Sequence, residues 1–103
     1  MIFKDYKNRE IRLTEERKIH LEDVHPEMKG QIDRVQETLK IPDFVFKSVS
    51  DQEVELFYKC YKNTLVTEKY LCVVIKVLTD DLFIITAYFT DSIKKGELIW
   101  EKK

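Results

Sequence analysis

Two apolar runs in the second half of the chain constrain its fold most strongly. Residues 70–78 and 82–90 are rich in β-branched and aromatic side chains. These side chains occupy both the odd and the even positions, so each run is apolar on both faces of a strand. Runs that are apolar on both faces belong at the centre of a sheet, where both faces are covered. The intervening Thr79-Asp80-Asp81 predicts a hairpin that joins the two strands. The sequence therefore predicts a sheet built around this pair.

Two helices are predicted in the first half of the chain. Thr14 followed by two glutamates fits a helix N-terminus, because its hydroxyl can accept a backbone N–H and the carboxylates face the positive end of the helix dipole. This helix should end near Val24, because the residue before Pro26 is biased away from helical geometry. The second helix is predicted from Pro26 to about Lys40. Its apolar stripe consists of Met28, Ile32, Val35 and Leu39.

The remaining strands complete a predicted α+β fold. Residues 44–49 and 53–62 are expected to pair with the two central strands, residues 2–6 and 11–13 to form at most a small hairpin, and residues 98–100 to add an edge strand. We therefore expect a single domain over residues 1–103, with two N-terminal helices packed on one face of a mainly four-stranded antiparallel sheet. The other face should stay open as a ligand surface.

Composition excludes several classes of protein. The 18 Lys and Arg balance 19 Asp and Glu to a net charge of −1, so any anion site has to be local. Gly30 and Gly96 are the only glycines, which excludes phosphate-cradling loops and dinucleotide fingerprints. Short apolar runs and the absence of a signal-peptide pattern predict a cytoplasmic protein with no membrane partner. Cys60 and Cys72 are predicted to be reduced core thiols that lie opposite each other on neighbouring strands.

The chain has two histidines, His20 and His25, and both fall at the end of the first predicted helix. On a helical wheel Arg17, His20, Leu21 and Val24 share one arc, so Arg17 and His20 are expected on the inward side. An imidazole can take and give a proton at neutral pH, and an arginine can grip a phosphate with two hydrogen bonds. Helical zinc sites place histidines four residues apart rather than five, so no metal and no other cofactor is expected.

These residue types suit the cleavage of RNA. The substrate supplies its own nucleophile, the 2′-OH, so the protein needs only a base, an acid and cations for the extra phosphorane charge. Aromatic residues in the strands could stack unpaired bases, and the candidates are Tyr58, Tyr61, Tyr88 and Phe89. The same histidines could instead serve a non-catalytic binding module, or only hold the helix junction together. The residue types alone leave these three readings open.

Several motifs together carry a family resemblance. They are Arg17-Lys-Ile-His20, then Val24-His25-Pro26-Glu27-Met28, then Thr86-Ala-Tyr88, and Ile93-Lys-Lys-Gly96. In this order they resemble the small phage and bacterial proteins grouped with barnase, EndoU, the colicin tRNases and RelE in one nuclease superfamily. The resemblance spans nearly the whole chain.

The resemblance implies a metal-independent endoribonuclease of a group that is often toxin-like. It implies catalytic roles for Arg17, His20 and His25, and substrate-binding roles for Thr86, Tyr88, Glu27, Lys94 and Lys95. RNA is then the expected partner, with a neutralising protein and a second copy of the chain, paired through residues 99–100, as further candidates. The alternative is a non-catalytic binding module that presents the same pocket to a protein or a small anion.

Overall fold

The computed structural model describes residues 1–62, 69–94 and 96–103. Within these residues, seven strands form one mixed sheet in the spatial order β1-β2-β6-β5-β4-β3-β7. In chain order the strands β1 to β7 are Ile2–Lys4, Glu10–Arg12, Phe44–Lys47, Val54–Tyr61, Lys69–Val77, Leu82–Thr90 and Glu97–Glu101. The helices are α1, Glu15–Val24, and α2, Ile32–Lys40, with a 3-10 turn, Pro26–Met28, between them.

Strands β3 to β6 form an antiparallel meander, and the predicted β5–β6 hairpin is confirmed. At its centre Val73 of β5 pairs with Phe57 of β4 on one side and with Ala87 of β6 on the other. All three side chains are fully buried. The predicted pairing of the cysteines is wrong, because Cys72 pairs with Tyr58. The observed register of β4 and β5 is shifted by two residues from the predicted one. An even shift keeps Cys60 and Cys72 on the same face of the sheet.

The expectation of a mainly four-stranded antiparallel sheet is wrong, because both edges of the meander are extended. β1 and β2 pair as an antiparallel hairpin, and β2 joins β6 in parallel through Arg12 and Phe83. At the other edge β7 pairs with β3 in antiparallel, with a register shift between Val45 and Phe46. The parallel pair of β2 and β6 joins segments far apart in the sequence. Local periodicity carries no signal for a contact of that kind.

The two helices contribute unequally to the core, unlike the layer of two helices that was expected. α2 buries Val35 and Leu39 against the sheet, whereas α1 buries only Leu21. The predicted helix from Pro26 is interrupted at Gly30, whose φ of 77° lies in the left-handed region that glycine adopts at little cost. Neither helix, nor any other in the described part of the chain, is long and apolar enough to span a membrane.

The second face of the sheet has its own small core and is not open as expected. Leu56, Tyr58 and Cys72 are buried on this face and form a cluster separate from the core under the helices. The connection from β6 to β7, which we call the crossover, covers them. Ile93 of the crossover packs against the cluster, and the backbone N–H of Lys94 donates to the Tyr58 hydroxyl at 2.9 Å.

The crossover ends at a close approach between two backbones. A Cβ atom on Gly96 would overlap the carbonyl oxygen of Lys47, the last residue of β3. A glycine is therefore needed where the crossover meets the edge of the meander.

A buried ionic cluster joins the β1–β2 turn to β4. The Arg9 guanidinium donates to Asp5 at 2.8 Å and to Glu55 at 2.8 Å, and the two carboxylate side chains are nearly inaccessible to water. Asp5 also accepts the backbone N–H groups of Lys7 and Arg9 within the turn. Because both carboxylates contact the Arg9 guanidinium, its positive charge offsets one of the two buried negative charges.

Candidate functional site

His25 lies at the junction between α1 and the 3-10 turn. Its backbone N–H caps α1 by donating to the Leu21 carbonyl at 2.8 Å, and its φ and ψ of −127° and 79° end the helix before Pro26. The residue before a proline favours extended geometry, so the sequence itself sets this break. The break turns the His25 side chain away from the line of α1 and towards β6.

The His25 ring packs against Tyr88 of β6. The ring centroids are 5.4 Å apart and the planes are inclined by 31°. Tyr88 pairs with Cys72, so its side chain lies on the face of the sheet opposite the helices. The helix junction therefore reaches around the edge of β6 to meet it. β2 pairs with β6 at Phe83, near the start of β6. The later part of β6 therefore lies beyond this pair, next to the helix junction.

Glu27 is a second neighbour of the same imidazole. Its Oε2 atom is 3.7 Å from His25 Nδ1, a distance for a charge contact rather than a hydrogen bond. Both side chains are partly exposed, at 30% for His25 and 43% for Glu27. The Glu27 carboxylate is therefore placed to offset part of a positive charge on this ring.

Tyr88 belongs to a row of three polar side chains that lie across neighbouring strands. Tyr58, Cys72 and Tyr88 occupy paired positions on β4, β5 and β6, and the thiol is hydrogen-bonded to both hydroxyls. Burial raises the pKa of Cys72 to about 11, although the hydrogen bonds to the two tyrosines oppose this. Burial also raises the pKa of Tyr58 and of Tyr88, and Cys72 adds to both shifts. All three groups are neutral at pH 7, so Cys72 is not a ready nucleophile.

Three other predicted site residues lie near this row or outside the described chain. Thr86 precedes Tyr88 by two residues on β6, so both side chains are on one face. Lys94 is exposed and is held by its backbone on Tyr58. Lys95 lies outside the described residues.

Arg17 and His20 are on a different surface from His25. Both are exposed on α1, where they line a shallow depression with Glu16, Ile19 and Asp23. The helical wheel predicted them on the inward side, and this interpretation is wrong, because Leu21 faces the core together with the half-buried Lys18 and Glu22. Apolar residues occur on several sides of α1, so its pattern did not identify the inward face.

Arg12 is a neighbour of Arg17 that the sequence did not single out. Both arginines line a small cavity at the start of β6, together with Phe83. Arg12 donates two hydrogen bonds to Asp81, at 2.9 and 2.8 Å, and its guanidinium lies 5.1 Å from the centre of the Phe83 ring. This arrangement depends on the parallel β2–β6 pair, so sequence periodicity carried no signal for it.

Metal ligands are not grouped in the residues for which the structure gives coordinates. Among residues 1–62, 69–94 and 96–103, no three His, Cys, Asp or Glu side chains are close enough to hold an ion. The two histidines do not share a carboxylate there, since Glu27 faces His25 and Asp23 lies beside His20.

Comparison of this chain with protein-family models, with curated proteins and with solved structures gives no significant match. The argument for its function therefore depends on the chemistry of the residues described above.

Proposed function

We propose that this chain is a metal-independent endoribonuclease whose reactive centre is His25. The observation that supports this proposal is the position of the His25 ring, which contacts both Tyr88 and the Glu27 carboxylate while part of its surface stays exposed. A fixed and accessible imidazole is the group that RNA cleavage through the 2′-OH requires. The reaction needs no metal, because the nucleophile comes from the substrate.

His25 is the proton acceptor in the proposed reaction. As the 2′-oxygen attacks phosphorus, its proton passes to Nε2 of His25, and the Glu27 carboxylate offsets the charge of the imidazolium. The bond from phosphorus to the 5′-oxygen then breaks, and that oxygen takes a proton from water. The hydroxide formed takes the proton from the His25 imidazolium, which restores the base. The products are a 2′,3′-cyclic phosphate and a 5′-hydroxyl.

Tyr88 is a positioning residue in this scheme. Its ring supports His25, and its hydroxyl is engaged with Cys72 and stays neutral. Thr86, on the same face of β6, can donate a hydrogen bond to a phosphate oxygen. Lys94 brings an exposed ammonium group to this face and can offset the charge that develops on the phosphorane.

Arg17 and His20 receive a different role from the one the resemblance implies. Since they line the outer surface of α1, we propose that they contact the RNA backbone beyond the reacting phosphate. An arginine is well suited to this contact, because it binds phosphate through two parallel hydrogen bonds. Loss of either side chain should then weaken RNA binding more than it slows the chemical step.

The proposal is tested by comparing the two histidines under single-turnover conditions in EDTA. We expect His25→Gln to slow cleavage of single-stranded RNA by roughly 10²- to 10⁴-fold, the usual value of a general base. His20→Gln is the matched control, and it should leave the rate at saturating protein nearly unchanged. Intact RNA with the wild-type chain, or equal rates for wild type and His25→Gln, would contradict the proposal.

A non-catalytic binding module is the second candidate, and one observation favours it. The outer surface of α1 exposes Ile19 and Val24, at 53% and 57%, beside Arg17 and His20. Apolar side chains next to cationic ones suit a docking surface as well as an RNA contact. Binding of RNA without any cleavage by the wild-type chain would favour this candidate over the nuclease.

A further inference from the structure

An open depression of about 440 Å³, which we call the cavity, lies on the side of the sheet away from the helix-covered core, at the end of β4 and the start of β5. Two aromatic rings and three lysines line it, together with one carboxylate and one thiol. These residues are Phe44, Tyr70, Lys62, Lys102, Lys103, Asp43 and Cys60. Neither the sequence motifs nor the proposed reaction uses this cavity.

The two aromatic rings of the cavity are fixed by other rings. Tyr70 meets Tyr58 edge-on, with centroids 6.4 Å apart and planes at 90°, and Phe44 lies 6.1 Å from Phe46. Both rings are half-buried, so each is held in place and still presents part of its surface to the cavity. Fixed and partly exposed rings on a sheet are the usual platform for an unpaired base.

The charge of the cavity is positive although the chain as a whole is nearly neutral. Lys62, Lys102 and Lys103 are exposed, whereas the Asp43 carboxylate already accepts the backbone N–H of Cys60 at 2.8 Å. The backbone N–H of Lys102 donates to the Asp43 carbonyl at 2.9 Å, which holds this lysine beside the start of β3. Three ammonium groups around two rings match the alternation of phosphates and bases in one strand of nucleic acid.

We infer that this cavity binds a nucleotide of single-stranded RNA, with a base on Tyr70 and Phe44 and phosphates near the three lysines. The inference rests on the proposed function and specifies its substrate. Tyr70 is paired with Thr90, so Tyr70 and Tyr88 are diagonal neighbours on β5 and β6. Diagonal residues in an antiparallel pair are roughly 7–8 Å apart. Lys94, held on Tyr58, carries its charge on the same face. One extended strand can therefore reach both the cavity and His25.

A duplex does not fit this arrangement. Its bases are stacked on each other and their faces are hidden, so neither ring could be used. The cavity therefore selects a single strand over a duplex of the same length and charge.

The inference is tested by measuring the binding of a short, fluorescently labelled oligoadenylate to the His25→Gln protein, which removes cleavage as a complication. We expect Tyr70→Leu to weaken binding roughly tenfold, as is usual for the loss of a base-stacking ring, and Tyr70→Phe to bind like the parent. The double variant Lys62→Gln/Lys102→Gln should reduce the slope of log K against log salt by about 1.4, because each contact to a single strand contributes about 0.7.

Lys7→Gln is the matched control for charge, because Lys7 lies over Tyr6 on the helix side of the sheet. It should leave both the affinity and the salt slope unchanged. Unchanged affinity in Tyr70→Leu, or equal binding of single-stranded and duplex RNA, would overturn the inference.

The outcomes separate this inference from the proposed function. If wild type binds oligoadenylate through Tyr70 and never cleaves RNA, the nuclease is contradicted and the binding subsite is supported. If cleavage depends on His25 but Tyr70→Leu changes neither affinity nor KM, the subsite alone is contradicted. Thermal unfolding of each variant shows whether a loss of binding merely reflects loss of the fold.

Discussion

His25, at the end of α1, stacks on Tyr88 of β6 with ring centroids 5.4 Å apart, although Tyr88 points to the face of the sheet opposite the helices. The contact forms because the helix junction wraps around the edge of β6 beyond the pair of Arg12 with Phe83. It links a group able to transfer protons to a neutral row of side chains, in which Tyr58 and Cys72 are buried and Tyr88 is half-buried. The proposed activity depends on this link, because the row fixes the position of the imidazole.

The variant His25→Phe separates the packing of the ring from its chemistry. A phenyl ring can keep the contact with Tyr88, so we expect almost no change in the free energy of unfolding. His25→Ala should lower it by about 0.5–1.5 kcal/mol, the usual value of an aromatic pair. RNA cleavage should fall at least 10²-fold in both variants. Thermal unfolding together with a cleavage assay checks this, and a His25→Phe protein that cleaves RNA at the wild-type rate would contradict the role of the imidazole.

The buried cluster of Asp5, Arg9 and Glu55 should matter far more for stability than an exposed ion pair. We expect Arg9→Met to lower the free energy of unfolding by about 3 kcal/mol or more, because it leaves two buried carboxylates without a counter-charge. Arg12→Met is the control. Its partner Asp81 is exposed, so water can replace the lost contact and only a small effect is expected. Urea unfolding of both variants tests the difference, and equal losses would contradict it.

Gly96→Ala should disturb the crossover. The new Cβ would overlap the Lys47 carbonyl oxygen, so the backbone has to shift, at a cost of about 1–3 kcal/mol. Ser92→Ala is a suitable control in the same connection, because Ser92 is exposed and its hydrogen bonds use its backbone. Its effect should stay within about 0.5 kcal/mol. Urea unfolding measures both, and a Gly96→Ala protein as stable as wild type would show that the close approach is not needed.

The free energy of unfolding at alkaline pH should depend on the ionisation of Cys72. Burial raises its pKa from 9.0 to about 11, so folding favours the neutral thiol. The stabilisation is complete below pH 9.0 and is lost as the pH rises towards 11. Between pH 8 and pH 10 this thiol should therefore cost about 1 kcal/mol of stability. Urea unfolding of wild type and Cys72→Ala at both pH values tests this. The free energy of unfolding should decrease less between the two pH values in Cys72→Ala than in wild type. Equal decreases in the two proteins would contradict the raised pKa of Cys72.

The sequence predicts the meander well and the site only in part. The strand β4 follows from local alternation, and β5 and β6 follow from runs that are apolar on both faces and from the turn at residues 79–81. The parallel contact of Arg12 with Phe83 and the path of the crossover over Tyr58 are not local, so no window of sequence contains them. The covered second face was missed for the same reason.

The orientation of α1 shows a different limit. Ile19 lies on the side of this helix opposite Leu21, Val24 shares an arc with Leu21, and only Leu21 of the three is buried. A helical wheel cannot choose among such residues when the helix packs through a single one. The position of His25 was predictable in one respect, since Pro26 ends α1 at that residue. That its side chain meets Tyr88 follows only from the path of the chain around β6.

The most direct test of the central claim is the identity of the product ends. Single-stranded RNA is incubated with the pure chain in EDTA, and the new termini are analysed chemically. The account predicts 2′,3′-cyclic phosphates and 5′-hydroxyls from wild type, at least 10²-fold slower formation of these ends by His25→Phe, and no cleavage of DNA of the same sequence, because DNA lacks the 2′-OH. Uncleaved RNA, or formation of the same ends at the wild-type rate by His25→Phe, would contradict it.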